Sequence, residues 1–130
     1  MARLNTALFL LLFFFMLPTI VLGEVGDQKL AELVFKEALV YELQRDWQNA
    51  LAYYKKAVDL HSTELYRYKA AYAATQCKPP NWNVAEHLLS QNREVDSFLL
   101  LAEINQQRGN WKKAHNLLQN ARRQASDEPR

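Results

Sequence analysis

Three tryptophans punctuate the apolar pattern of this chain, and each opens the same phrase: Trp47-Gln-Asn-Ala50, Trp82-Asn-Val-Ala85 and Trp111-Lys-Lys-Ala114. Four residues after each alanine stands a large apolar side chain, Tyr54, Leu89 or Leu118, and the first and third phrases add a second alanine, Ala57 and Ala121. Spacings of three and four put these positions on one helical face. The alanines let a neighbouring helix approach closely, and the large side chain fills the space beside them. Upstream, Val34, Ala38 and Tyr41 precede the first tryptophan, and Phe98, Leu101 and Ala102 precede the third, which predicts a partner helix before each phrase.

The partners are joined by short polar turns, Gln44-Arg45-Asp46, Lys78-Pro79-Pro80-Asn81 and Gln107-Arg108-Gly109-Asn110. Gly109 is suited to the left-handed conformation that ends a helix, and the paired prolines cannot continue one. The pattern therefore predicts an all-α fold of about three antiparallel hairpins. The tryptophans are 35 and then 29 residues apart, so the middle unit is short. Its second helix has about ten residues, from Asn83 to Asn92, and the stack is expected to be irregular there.

Residues 1–23 are of a different kind: MARLNTALFLLLFFFMLPTIVLG carries positive charge only at its start, an apolar run from Ala7 to Leu17, and then Pro18. This is the layout of a secretory signal. An uncleaved signal anchor is the alternative, because apolar character resumes to Leu22, but that run falls short of the roughly 20 residues of a spanning helix. Either way the expected topology carries the rest of the chain across a membrane. The expected organisation is a signal peptide or signal anchor over 1–23, a helical domain over 24–126 and a frayed tail over 127–130.

The helical part is rich in Ala, Leu, Gln, Asn, Lys and Glu and lacks the clusters of Val, Ile and Thr that half-buried strands need. Sixteen basic and fourteen acidic residues give a net +2, which falls to +1 without Arg3 of the leader. Such a balance, with both signs alternating along the helices, argues against nucleic acid as a partner. Cys77 is the only cysteine, so neither an intramolecular disulfide nor a cysteine-based zinc site can form. A lone helical cysteine reads as a small apolar packing residue.

The three phrases, with Ala38 and Tyr41 before the first and Leu101, Ala102 and Gly109 before the third, resemble the tetratricopeptide repeat, whose helices read W-x2-L-G-x2-Y and then A-x3-F. The resemblance covers nearly all of residues 28–126. Ser62 and Ser126 stand where the family often has proline. It implies a short right-handed solenoid, preceded here by a hydrophobic N-terminal helix. The repeat-packing residues would be Ala38, Tyr41, Trp47, Ala50, Tyr54, Ala57, Trp82, Ala85, Leu89, Leu101, Ala102, Trp111, Ala114, Leu118 and Ala121.

It also implies a groove lined by the first helices, where the family commonly holds a peptide or a helix of a partner. By matching positions that lining would be Phe35, Leu39 and Glu42, then Arg67, Ala70, Ala74 and Cys77, then Leu99, Glu103 and Gln106. Phe35 and Leu39 stand where carboxylate-clamping members of the family carry Lys and Asn, and neither donates a hydrogen bond from its side chain. A clamp on a charged chain terminus is therefore not expected.

Nothing in the sequence supplies catalytic chemistry. His61, His87 and His115 fall on different helices without an i, i+4 partner, and no G-x-S-x-G, glycine-rich phosphate loop or paired-carboxylate motif occurs. No metal, cofactor or enzymatic activity is expected. Lys55-Lys56 and Lys112-Lys113 read as solvated helix faces, and Arg122 and Arg123 as charges favourable to the end of the last helix. The expected function is that of an exported or membrane-tethered adaptor, in a bacterial periplasm or envelope, that binds a protein partner. The alternative is a structural subunit or self-associating scaffold, a homo-oligomer included.

Overall fold

The computed structural model describes residues 26–127, and the expected leader over 1–23 lies outside the described residues. The described chain is all-α. Six helices pack sequentially in adjacent antiparallel pairs: α1 over residues 26–43, α2 (Trp47–Leu60), α3 (Glu64–Gln76), α4 (Trp82–Leu89), α5 (Val95–Gln107) and α6 (Trp111–Asp127). This arrangement is consistent with a helical repeat. Among the described residues no helix is long and apolar enough to cross a membrane.

Short polar side chains start the helices. Asp46 accepts a hydrogen bond from the Asn49 backbone at 3.3 Å, Thr63 from Tyr66 at 3.1 Å and Asn81 from Val84 at 3.4 Å, which satisfies amide groups that a helix end leaves free. The first and third turns share one geometry. Arg45 at φ 57° and Gly109 at φ 76° both sit in the left-handed region. Asp46 N–H reaches Tyr41 C=O at 2.9 Å, and Asn110 N–H reaches Asn105 C=O at 2.8 Å, so each pairs residues five apart in the Schellman closure. In the middle turn Asn81 N–H reaches Ala74 C=O at 2.9 Å, a separation of seven. The turn after α3 is therefore two residues longer than the other two.

The core runs along the stack. Ala38, Ala50, Tyr54, Ala57, Ala85 and Leu89 are fully buried, and Leu101, Ala102, Ala114 and Ala121 nearly so. Tyr41, Trp47 and Trp82 are half-buried against this core. α3 is the central element, touching α2, α4 and α5 and meeting α1 through a stack of Phe35 on Tyr66 with ring centroids 4.6 Å apart. Its buried side is Ala70, Ala71, Ala73 and Ala74, four small residues that allow several helices close contact.

Two expectations need correction. Trp111 is 69% exposed and Leu118 40% exposed, although both match the repeat pattern, because no helix among the described residues lies over them. Trp47, by contrast, has Tyr72 of α3 edge-on at 5.7 Å. The second helix of the middle hairpin is also shorter than expected, eight residues ending at Leu89. A polar knot closes the gap that follows. Buried Asn92 donates to Glu64 C=O and to Ser97 Oγ, both at 3.0 Å, and accepts from Arg67 Nε at 2.7 Å, tying the α4–α5 link to the start of α3.

Candidate functional site

α1, α3 and α5 each bury one side and leave another partly uncovered, and the turn geometry fixes which residues correspond. Aligning the carbonyls that close the turns sets Tyr41 beside Ala74 and Asn105. Phe35 and Leu39 then correspond to Tyr68 and Tyr72 of α3, and to Leu99 and Glu103 of α5. One turn earlier the same register gives Glu32, Leu65 and Asp96. These nine positions form one strip across the three helices.

Three features join the strip. Glu32 and Leu65 line a common open depression of about 610 Å³ with Lys29 and Tyr66. Phe35 bridges α1 and α3 through its stack on Tyr66. Burial pushes the Tyr68 hydroxyl above its ordinary value, and the charges of Asp96 and Glu103 push it further, so α5's acids lie within electrostatic reach of that ring. The strip is aromatic and aliphatic along its middle, with Leu65 and Leu99 exposed. Asp96 and Glu103 supply negative charge on the α5 side. On α1, Glu32 is paired with Lys36 at 2.8 Å.

The groove lining expected from sequence is redistributed by the structure. Phe35 and Leu39 are half-buried and packed against the core, and Leu99, Glu103 and Gln106 are exposed. Ala70 and Ala74 are fully buried, so they do not line a groove. The cause is the longer turn: counting back from Trp82 by the distance that holds for Trp47 and Trp111 stops two residues short, and the uncovered positions are Tyr68 and Tyr72. Leu65, Tyr68 and Tyr72 are themselves spaced by three and four, an apolar stripe opposite the alanines that would have revealed the register.

Glu42 and Arg67 are also occupied structurally. Glu42 accepts a short hydrogen bond from the Tyr54 hydroxyl and an ion pair from Lys69 at 2.9 Å, joining α1, α2 and α3. Arg67 is held by Asn92 and by Ser62 Oγ at 2.5 Å. Cys77 is half-buried at the end of α3, where burial pushes its thiol up, which leaves less of the reactive thiolate.

On the opposite side of the stack Glu86 of α4 binds Arg108 at 2.7 Å and Lys113 at 3.1 Å. Burial pushes its carboxyl up, but the hydrogen bond and charge of Lys113, with Asn105 and Arg108, outweigh burial and hold it below the usual carboxylate value. His61 meets Gln28 at 3.2 Å, while His87 and His115 are exposed. Among the described residues no three His, Cys, Asp or Glu side chains gather as metal ligands would. No family model matches the chain, and no curated protein matches it in sequence.

Proposed function

We propose that this chain is a non-enzymatic adaptor of the tetratricopeptide kind, a right-handed solenoid of three hairpins that holds a partner's peptide or helix along the uncovered strip of α1, α3 and α5. The observation that carries the reading is the strip itself. Leu65 and Leu99 are exposed beside half-buried Phe35, Tyr68 and Tyr72, a surface whose apolar area is more than the fold needs for its own packing.

Asp96 and Glu103 flank that surface on α5, so the favoured ligand combines apolar anchors with a basic residue. An amphipathic helix with apolar groups at i, i+3 and i+7, or an extended segment with alternate apolar side chains, meets that description. The leader extends the proposal to an exported or membrane-tethered protein, since its charge and apolar run have the order of a secretory signal.

Fluorescence polarisation with two labelled helical peptides tests the reading, one carrying leucines and lysines and the other leucines and glutamates. The basic peptide should bind more tightly. Glu103→Lys should weaken it about tenfold or more, a loss of about 1.4 kcal/mol, and Leu65→Asp should also weaken it. Phe35→Glu is unsuitable because Phe35 packs on Tyr54 and Tyr66. Equal affinity for both peptides, or binding indifferent to both substitutions, refutes the strip as the docking face.

A further inference from the structure

The two ends of the stack are the separated halves of an interface that the molecule makes internally. In the first half of the chain α3 docks on the hairpin of α1 and α2. Tyr66 stacks on Phe35, Lys69 pairs with Glu42 and Tyr72 meets Trp47 edge-on. α5 repeats the docking on α3 and α4, with Ser97, Leu100, Leu101 and Ile104 buried.

The register that aligns the turns identifies the counterparts at each end. On α1 the positions equivalent to Tyr66, Lys69 and Ala73 are Leu33, Lys36 and Val40. Leu33 is 64% exposed and Val40 46% exposed, with Leu30 also exposed on that side. A helix face that is buried in α3 and α5 is thus open in α1. At the other end the equivalents of Phe35, Trp47 and Tyr54, which receive α3, are Leu99, Trp111 and Leu118. All three are exposed.

We infer that a second copy of this chain docks head to tail, the outer face of its α1 lying on α5 and α6 as α3 lies on α1 and α2. Leu33 of the incoming copy packs on Leu99, as Tyr66 does on Phe35, and its Lys36 meets Gln106, which stands at the Glu42 position. Trp111 and Leu118 receive the same helix. The charges of α1 and α6 are complementary, while Asp96 and Glu103 of α5 carry the opposite sign to α6. Apart from Glu42 and Lys113, which pair internally with Lys69 and Glu86, α1 carries Asp27, Glu32 and Glu37 against Lys29 and Lys36, whereas α6 carries Lys112, Arg122 and Arg123 against Asp127. Like ends repel and unlike ends attract. The contact is heterologous, so copies add in one direction until a ring closes or the assembly stays open.

This interface shares Leu99 with the peptide strip, but its test uses residues that lie outside the strip. Two variants of the full chain, purified in the form in which it accumulates in its host, each block one end: Leu33→Glu with Val40→Glu, and Trp111→Glu with Leu118→Glu. All four side chains are exposed, and far-ultraviolet circular dichroism checks that both variants keep wild-type helicity.

In sedimentation velocity the wild type should grow with concentration beyond a dimer or close into a ring, and each variant alone should stay monomeric. Mixed in equal amounts the two variants should form a one-to-one dimer, because each retains the end that the other lacks. A wild type that stays monomeric overturns the inference, as when residues 1–25 or a partner helix cover α1. Growth that persists in either variant, or a mixture that stays monomeric, overturns it as well.

Discussion

Leu89 fills in α4 the seat that Tyr54 fills in α2, and both are fully buried, yet only the tyrosine brings a hydroxyl into the core. That hydroxyl donates to Glu42, which also holds Lys69, so one phenol orients an ion pair between α1 and α3. Burial pushes the Tyr54 hydroxyl far above the ordinary value near 10, and the hydrogen bond and charge of Glu42 push it further. An unfolded tyrosine ionises at about 10 while this one does not. Its stabilising contribution is therefore complete below pH 10 and is lost as pH rises above it. Tyr54→Phe should cost about 1.5–3 kcal/mol at neutral pH, the range for a hydrogen bond to a charged group. Urea denaturation of wild type and variant between pH 8 and 11.5 should show the gap narrowing above pH 10. A gap that stays constant would mean that the hydroxyl is not held in its neutral form by folding.

At the scale of elements, the W-x-x-A phrase marks where α2, α4 and α6 begin, because tryptophan is the first residue of each. The phrase does not say what lies over it. Trp47 meets Tyr72 and Trp111 meets solvent, so identical local sequence should give unequal energetics. Trp47→Ala should cost about 2–4 kcal/mol, toward the lower part of the range for a buried aromatic. Trp111→Ala should stay within about 0.5 kcal/mol, as surface changes do. Thermal and urea denaturation of the two variants at low protein concentration measures both. Equal losses would show that a cover over Trp111 exists in solution.

The same contrast shows how far the sequence was legible. Hairpins, starts and stops follow from local spacing, and the six helices could be read from it. The register of α3 could not, because two extra residues in the Pro79-Pro80 turn shift every position counted back from Trp82. Gly109 announced a left-handed turn, but Arg45 takes the same conformation with no glycine to signal it. Asn92 and Asn105 are buried, and their polarity hid them from an apolar pattern. Their partners, Glu64, Ser97 and Arg67 for one and the Leu101 carbonyl for the other, include residues up to 28 positions away in the chain.

Across the whole molecule, stability is expected to be graded along the stack. Each hairpin of a repeat array gains from its neighbours, and a terminal helix has a neighbour on one side only. α3 touches four helices, whereas α6 packs chiefly on α5. The outward faces of α1 and α6 carry exposed apolar groups that no neighbour among the described residues covers. Native-state amide exchange should therefore be slowest at Ala70–Ala74 and fastest in α6 beyond Ala121, with the outer part of α1 also fast. Opening free energies should approach the global value only in α3. Repeating the measurement at tenfold higher protein concentration separates fraying from docking. Protection that rises in α1 and α6 together, with α3 unchanged, is what head-to-tail contact requires, since the contact buries both ends at once. Protection rising at one end alone would point to like ends pairing, which the basic excess on α6 opposes at that end.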